Sequence, residues 1–221
     1  LVRKRYIDER LLEATENREV EAVVNLGAGF DTRLYRLEAL SNVPCWEVDQ
    51  PINIAAKERA LKRAFKTVPE NVTLTGMNFV EQEIGESLKQ SGYQAGVRTF
   101  FVWEAVSQYL NEASVKKTFD FFANAPAGSQ LVFTYVPRDF IDGTNFYNQE
   151  KTYKRMVLKD KIWQFGFDPA TLGEFLGRIG WKLVKDLGYN ELFDRYVKPT
   201  GRNLDTLQIE RVVYAEKVGD A

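Results

Sequence analysis

Residues 23–33 read VVNLGAGFDTR and decide the fold of this chain. An apolar run typical of a buried strand is followed at once by Gly27-Ala28-Gly29. Glycines in a first strand-to-helix loop let a ligand approach the backbone closely, and open α/β sheets bind ligands beyond the carboxyl ends of their strands. The dinucleotide fingerprint needs a third glycine at position 32, where this chain has Thr32. The stretch therefore predicts a ligand loop that departs from the dinucleotide pattern.

Apolar runs of this kind recur along the chain, with helical patterns between them. We predict strands at 21–26, 43–49, 71–78, 97–103, 129–136, 181–187 and 208–217, and helices at 32–41, 51–66, 81–91, 112–124 and 169–179. Such alternation with short connections is typical of a mostly parallel sheet with helices on both faces. In the last predicted strand, apolar and polar residues alternate, as is typical of a strand with one exposed face. We therefore predict an α/β fold with seven strands, one of them antiparallel.

The length of 221 residues, 44% of them hydrophobic, indicates a single domain over 1–221. Residues 138–167 are polar and aromatic and too long for a simple connection, so we predict an inserted, helix-containing lid there. The chain begins at Leu1 with a helical pattern already under way, and we expect the natural protein to extend further upstream.

Composition excludes several classes of function. The net charge of −1 gives no electrostatic reason to expect nucleic acid or an anionic membrane as partner, and no apolar run of membrane-spanning length is present. We expect a cytoplasmic protein. Histidine is absent, which excludes Ser-His and Cys-His catalysis and histidine-containing zinc sites, and we predict no metal site. The expected partner is a small molecule or a peptide, and the oligomeric state stays open.

Two aspartates narrow the identity of the ligand. Asp49 ends the second predicted strand, 20 residues after Gly29, where an acidic residue suits a grip on ribose hydroxyls. Asp31 opens the first helix, where a pyrophosphate would sit, and its carboxylate repels a phosphate and competes for the free amides. Asp31 is also expected to cap this helix and to pair with Arg33. Both aspartates favour a nucleoside without a phosphate at the loop, such as S-adenosylmethionine.

Other strand ends supply further candidates at the same edge. Asn78 and Phe79 follow the third strand, where an amide and an aromatic ring suit an adenine. Glu104 follows the fourth strand, at the edge that carries Gly27 and Asp49, although a solvated strand end is the alternative. Tyr109 is a candidate catalytic residue, with core or lid packing as its alternative.

Several stretches together resemble the leucine carboxyl methyltransferase family, including its bacterial branch of proposed S-adenosylmethionine-dependent methyltransferases. They are VRKRYIDE (2–9), VVNLGAGFDTRLYRL (23–37), WEVDQP (46–51), WEAVSQYL (103–110), RYVKPTGRNL (195–204) and QIERVVYAEK (208–217). The resemblance covers nearly the whole chain. It implies a Rossmann-like class I methyltransferase fold with a lid over the substrate cleft, and transfer of the cofactor's methyl group to an oxygen nucleophile.

By position, the resemblance implies a cofactor site made of Arg3, Gly27, Ala28, Gly29, Asp49, Gln50, Asn78, Phe79, Glu104 and Ala105. Arg3 would bind the carboxylate of the methionine half, and Glu104 its amino group. Asp49 would hold the ribose hydroxyls. Two positions depart from the family pattern, because Asn78 replaces an Asp and Ala105 replaces a Gly.

Methyl transfer from a sulfonium is an in-line displacement that depends largely on alignment. A carboxylate acceptor is ionised at neutral pH and needs no general base, which is compatible with a chain without histidine. A hydroxyl acceptor would need help, for which Tyr109 or a carboxylate of the lid is the candidate. Arg195 and Arg202 are candidates to orient an acidic acceptor. We therefore predict an O-methyltransferase of class EC 2.1.1.

Two alternatives remain from the sequence. The first is a Rossmann oxidoreductase that uses NAD(P), which Asp31 and Thr32 argue against. The second is a protein that binds the cofactor without turnover and serves as a sensor or an interaction module. Asn78 and Ala105 are the residues that keep the second alternative open.

Overall fold

A single sheet organises the structure, a computed structural model that describes residues 2–204 and 207–219. Its strands are β1 (Ala22–Leu26), β2 (Cys45–Asp49), β3 (Val72–Gly76), β4 (Thr99–Trp103), β5 (Gln130–Tyr135), β6 (Trp181–Leu187) and β7 (Arg211–Lys217). They lie in the order β3-β2-β1-β4-β5-β7-β6. The first five strands are parallel, and β7 runs antiparallel to both of its neighbours. The predicted sheet of seven strands with one antiparallel member is confirmed.

Helices cover both faces of this sheet. They are α1 (Val2–Glu16), α2 (Arg33–Arg36), α3 (Pro51–Phe65), α4 (Ile84–Gln90), α5 (Glu112–Ala123), α6 (Arg138–Ile141), α7 (Glu150–Tyr153), α8 (Pro169–Arg178) and α9 (Tyr189–Tyr196). Single 3₁₀ turns lie at Glu38–Leu40, Ser107–Tyr109 and Lys198–Thr200, and a π-helical turn at Lys154–Lys159. Within the described residues, no helix has the length and apolar character needed to cross a lipid bilayer.

The central strands are buried along their whole length, which explains their continuous apolar runs in the sequence. Every residue of β1, β2, β4 and β5 is buried. On one face, the core is aromatic and includes Trp103, Phe119 and Trp181. On the other face, α1 inserts Tyr6 and Leu11 against the sheet. A strand that is covered on both faces has no solvent-exposed face. Its sequence is therefore an uninterrupted apolar run and does not alternate between apolar and polar residues.

The local signals at helix starts are mostly confirmed. Asn111 caps α5 by accepting a hydrogen bond from the amide of Ser114, and Asp168 caps α8. The helix predicted at 32–41 is shorter than expected, because Leu37 adopts an extended conformation and divides it into α2 and a 3₁₀ turn. Helix α9 was not predicted, although its apolar residues recur on one face, because it is only eight residues long and only Leu192 among them is buried.

The 138–167 segment leaves the sheet after β5 and returns to the same place. Its two ends are joined by the amide of Arg138, which donates to the carbonyl of Phe167 at 2.8 Å. The segment contains α6, α7 and the π-helical turn, as the predicted insertion requires. Phe140 and Trp163 of the segment form a small core with Val136 and Ile209, which lie outside it. Phe165 and Phe167, near its end, pack into the aromatic core of the sheet, so the segment is continuous with the main core beside the carboxyl end of β5.

Candidate cofactor site

The strand order reverses between β1 and β4, and the loop after β1 lies at this switch point. Gly27 has φ +68°, a conformation that glycine adopts without strain. A Cβ at Gly27 would also lie 2.2 Å from Cγ2 of Val106. Gly27 is therefore required by the packing of the loop against the segment after β4, whatever the loop binds. Gly29 has φ +46°, and the space around it is open.

Asp49 lies at the end of β2, next to this loop. Its Oδ2 accepts a hydrogen bond from the amide of Gly29 at 2.6 Å. Its Oδ1 accepts from the amide of Gln50 and from Nδ2 of Asn53, both at 2.7 Å. The carboxylate is thus held beside the backbone of the glycine loop, with three donors that fix its orientation. This is the juxtaposition of acidic residue and loop that the spacing in the sequence predicts.

Glu104 follows β4 and meets three cations. Its Oε1 accepts from Nε of Arg3 at 2.8 Å, and its Oε2 accepts from Nη2 of Arg33 at 2.7 Å. Nζ of Lys4 lies 3.4 Å from Oε2. The Glu104 side chain is only 6% exposed, so the alternative of a solvated strand end does not describe it. Arg3 also donates through Nη1 to Glu210, just before β7.

The charges around Glu104 settle its protonation state. Burial by itself raises the pKa of this carboxyl, but the nearby Arg33 guanidinium, with Arg3 and Lys4, outweighs burial and lowers the pKa to about 2. Glu104 is therefore ionised across the neutral range. An ionised, buried carboxylate at the edge of a pocket is suited to bind an ammonium group.

These groups surround a pocket of about 220 Å³ beyond the carboxyl ends of β1 and β4. Its lining residues are Arg3, Lys4, Asn25, Gly27, Ala28, Phe30, Asp31, Glu104 and Ala105. Five of the predicted cofactor residues are therefore brought together here. Among the lining residues that the sequence reasoning missed, Asn25 carried a signal, since it is the one polar residue within the buried strand VVNL. Lys4 was adjacent to Arg3 but had no distinguishing pattern.

Asp31 pairs with Arg33 as expected, but the N-cap position of α2 is Thr32, one residue after Asp31, and Thr32 makes no side-chain capping bond. Oδ1 of Asp31 accepts from the amide of Arg33 at 3.1 Å, and its Oδ2 lies 3.1 Å from Nε of the same arginine. Nδ2 of Asn25 donates to Oδ2 of Asp31 as well. Asp31 thus lies at the N-terminus of α2 and lines the pocket, where its negative charge would repel a phosphate.

The remaining predicted cofactor residues lie along the same edge, outside the lining of this pocket. Gln50 precedes α3, and its amide contacts Asp49. Asn78 follows β3, and its Oδ1 accepts from the amide of Val80 at 3.0 Å, which forms a local turn. Phe79 is half-buried against the aromatic core. Gln50 thus follows a strand two places away from β4, and Asn78 and Phe79 follow a strand three places away, on the far side of Asp49.

Ala105 shows a backbone reason for the glycine that the family carries at its position. It has φ +59°, a left-handed conformation that costs a residue with a Cβ. Its amide donates to Oγ1 of Thr134 at 2.8 Å, which holds the conformation in place. The departure from glycine is therefore accommodated with local strain directly after Glu104.

The candidate catalytic and substrate residues are distributed differently. Tyr109 is 43% exposed and packs edge-on against Trp163 of the insertion, with ring centroids 6.2 Å apart. Arg195 lies on α9 and pairs with Glu9 of α1, with Nη2 3.0 Å from Oε2. Arg202 is exposed in the segment after α9. The structure does not bring Arg195 or Arg202 into the pocket beside Glu104.

Solved structures with the same arrangement identify the class of this fold. A proposed methyltransferase from Thermobifida fusca superposes with a TM-score of 0.69 at 13% identity, covering 99% of this chain and 81% of that one. Magnesium protoporphyrin IX methyltransferase from Synechocystis, solved with bound SAH, gives a TM-score of 0.58 at 9% identity, covering 98% and 84%. The fold is that of the class I S-adenosylmethionine-dependent methyltransferases.

The sequence comparisons identify the family. The model of the leucine carboxyl methyltransferase family matches residues 1–123. Two Mycobacterium marinum proteins, both named as proposed S-adenosyl-L-methionine-dependent methyltransferases, are 26% and 28% identical to this chain. The matches cover 98% and 82% of this chain but 72% and 61% of those proteins. The chain belongs to the leucine carboxyl methyltransferase family, which confirms the resemblance, and the methyl donor of this class is S-adenosylmethionine.

The side chains at this edge fit that methyl donor. The methionine half of the cofactor carries an ammonium and a carboxylate, and its ribose carries two hydroxyls. Glu104 and Arg3 offer the opposite charges 2.8 Å apart, and Asp49 offers an acceptor beside the glycine loop. The set of donors and acceptors is therefore complementary to the cofactor.

Proposed function

We propose that this protein transfers the methyl group of S-adenosylmethionine to an oxygen atom of a small molecule or peptide, and that this oxygen belongs to a carboxylate. The observation that carries the proposal is the convergence of Arg3, Glu104 and Asp49 with the Gly27–Gly29 loop at one edge of the sheet. Membership of a carboxyl methyltransferase family supports the choice of a carboxylate.

The proposed cofactor contacts follow the charges of the site. Glu104 receives the amino group of the methionine half, and Arg3 receives its carboxylate. Arg3 uses Nε and Nη1 for Glu104 and Glu210, and among the described residues no side chain accepts from its Nη2. Nη2 is therefore the donor that is available to the cofactor without breaking either ion pair. Ala28 and Ala105 line the same pocket, and Gln50, Asn78 and Phe79 extend the site towards the nucleoside end.

The reaction requires alignment more than proton transfer. When bound, the cofactor supplies an electrophilic methyl group on a sulfonium. A carboxylate acceptor is already ionised at neutral pH, so no residue has to remove a proton from it. The chain's task is then to hold the acceptor in line and to exclude water. We assign the exclusion of water to the 138–167 insertion, whose Trp163 packs on Tyr109 beyond the end of β4.

Calorimetry with S-adenosylmethionine and with its demethylated product tests the cofactor assignment. Radiolabelled cofactor and fractionated cell extract then test the transfer. A carboxyl methyl ester is hydrolysed by mild alkali and releases volatile labelled methanol, whereas a methyl ether keeps its label. We expect labelled product that loses its label in alkali. Binding without any labelled product would contradict the proposal in favour of a cofactor sensor.

An alkali-stable product would contradict the carboxylate and indicate a hydroxyl acceptor. In that case a group must accept the hydroxyl proton, and Tyr109 is the candidate from its position on the insertion side of the site. Tyr109→Phe then lowers the turnover number while leaving cofactor affinity unchanged. With a carboxylate acceptor, the same substitution leaves the turnover number close to that of the unmodified protein, because no proton is transferred.

A further inference from the structure

Arg33 begins α2, and its guanidinium is completely buried among three carboxylates. Its Nη2 donates to Oε2 of Glu104 at 2.7 Å. Its Nε lies 3.1 Å from Oδ2 of Asp31 and 3.4 Å from Oδ1 of Asp8. These carboxylates belong to the segment after β4, to the glycine loop and to α1, so one side chain joins three segments around the pocket. A buried guanidinium is tolerated only where such partners replace its hydration.

The three cations at Glu104 differ in their relation to the pocket. The side chains of Arg3 and Lys4 are 27% and 41% exposed, and both residues line the pocket. The Arg33 side chain is 0% exposed and is not part of the lining. A carboxylate of a ligand in the pocket can therefore contact Arg3 and Lys4, but not Arg33, which contacts Glu104 from outside the pocket lining.

We propose that Arg33 is a positioning residue of the cofactor site, which fixes the Glu104 carboxylate to receive the amino group of the methionine half. This inference rests on the proposed function, in which Glu104 binds that amino group. The bond from Nη2 to Oε2 holds one oxygen of Glu104 in place, and the amino group of the ligand then binds at Oε1, which accepts it beside the bond from Arg3. Arg33 therefore governs affinity for the amino-acid half of the cofactor and not for its nucleoside half.

Two ligands separate this role from a general effect on the fold. S-adenosylhomocysteine has both halves, whereas 5′-methylthioadenosine keeps the nucleoside and thioether but lacks the amino and carboxylate groups. We expect Arg33→Met to weaken binding of S-adenosylhomocysteine about 10- to 100-fold, the scale of a lost charge-assisted hydrogen bond. Binding of 5′-methylthioadenosine is expected to stay unchanged. Isothermal titration calorimetry measures both, and circular dichroism verifies the fold.

A second variant and a matched control keep the test decisive. Arg33→Lys keeps the charge but loses the planar fork of donors, so we expect a smaller loss for S-adenosylhomocysteine and again none for 5′-methylthioadenosine. This variant carries the test if Arg33→Met does not fold. Arg178→Met is the control, because Arg178 lies at the end of α8, is 70% exposed and pairs with Glu174 of the same helix. It is expected to change neither affinity.

The outcomes distinguish this inference from the proposed function. If the unmodified protein binds neither ligand, the proposed function fails. If it binds both, and the Arg33 variants either retain full affinity for S-adenosylhomocysteine or lose affinity for both ligands equally, only the role of Arg33 is overturned. A selective loss for S-adenosylhomocysteine supports it.

Discussion

Arg3 near the start of α1 and Glu104 after β4 are joined by a bond of 2.8 Å from Nε to Oε1, across 101 residues of sequence. This ion pair attaches the first helix to the edge of the sheet where the pocket lies. The same helix buries Tyr6, Ile7 and Leu11 against the sheet. Because the helix supplies a side chain to the pocket, the proposed role of Arg3 predicts that cofactor binding stabilises the docking of α1.

Asp49→Asn is expected to reduce affinity for S-adenosylmethionine below the range of calorimetry. The substitution replaces a carboxylate oxygen by an amide that donates, so it opposes either the amide of Gly29 or that of Gln50. It also removes the charged acceptor that we assign to the ribose. Asp120→Asn on the exposed face of α5 is the matched control. Unchanged affinity of the Asp49→Asn variant for S-adenosylmethionine would contradict the assignment of Asp49 to the ribose hydroxyls.

Arg3→Ala is expected to weaken binding of S-adenosylmethionine by roughly 1.5–3 kcal/mol, the scale of a hydrogen bond to a charged group. Arg5→Ala is the control, because Arg5 lies on the same helix with its side chain 71% exposed and, among the described residues, pairs only with Glu9. Calorimetry on both variants measures the difference. Equal affinities for the two variants would mean that α1 contributes no contact to the cofactor.

Ala105→Gly is expected to raise the free energy of unfolding by roughly 0.5–1 kcal/mol. Glycine removes the strain of a Cβ at φ +59°, and this gain exceeds the added freedom of the unfolded chain. Ala60→Gly, at an exposed position within α3, should do the opposite and cost about 1 kcal/mol. Urea denaturation measures both. A loss of stability in the first variant would show that Ala105 is not strained.

Acid should reveal the contribution of Glu104 to stability. Its pKa is about 2 in the folded protein, below that of an unfolded glutamate, so its contribution is present at neutral pH and is lost as pH falls from about 4.5 to about 2. The Glu104→Gln variant lacks this contribution. The difference in free energy of unfolding between the two proteins should therefore shrink as denaturation is repeated at lower pH. A constant difference would rule out the lowered pKa.

A second buried ion pair lies between β2 and α3. Nζ of Lys57 is 2.6 Å from Oε1 of Glu47, and both side chains are buried. Lys57→Met should destabilise the protein by about 3–5 kcal/mol, because it leaves the buried Glu47 carboxylate without a cation, although the Tyr35 hydroxyl still donates to it. Adding Glu47→Gln should recover most of this loss, since no unpaired charge remains. Denaturation of the single and double variants measures the recovery, and Lys62→Met on the exposed side of α3 is the control.

Local sequence signals located most of the elements because each depends on near neighbours. Burial of β1 and β4 on both faces produces uninterrupted apolar runs, and the caps at Asn111 and Asp168 act within three residues. The signals failed where burial is slight, as in α9. They also failed where the chain leaves the helix without a proline or glycine, as it does at Leu37.

The residues of the candidate site also fall into those that local sequence signals predicted and those that they did not. Gly27, Asp49 and Glu104 were predicted because each comes directly after a strand, and parallel strands end at one edge. The ion pairs at this edge could not be predicted, because Arg33 reaches Glu104, and Glu210 reaches Arg3, through the packing of separate elements. The partner of Arg195 could not be predicted either, since Glu9, with which it pairs, lies on α1 at the other end of the chain.

The sequence by itself determined the sheet, its glycine loop and the acidic residues at its edge, because periodicity and strand ends are local properties. The tertiary structure alone decided the ionic environment of these residues. Electrostatic effects depend on distances between elements that lie far apart in the chain, and only the folded packing brings Arg3, Arg33 and Glu104 within hydrogen-bonding distance.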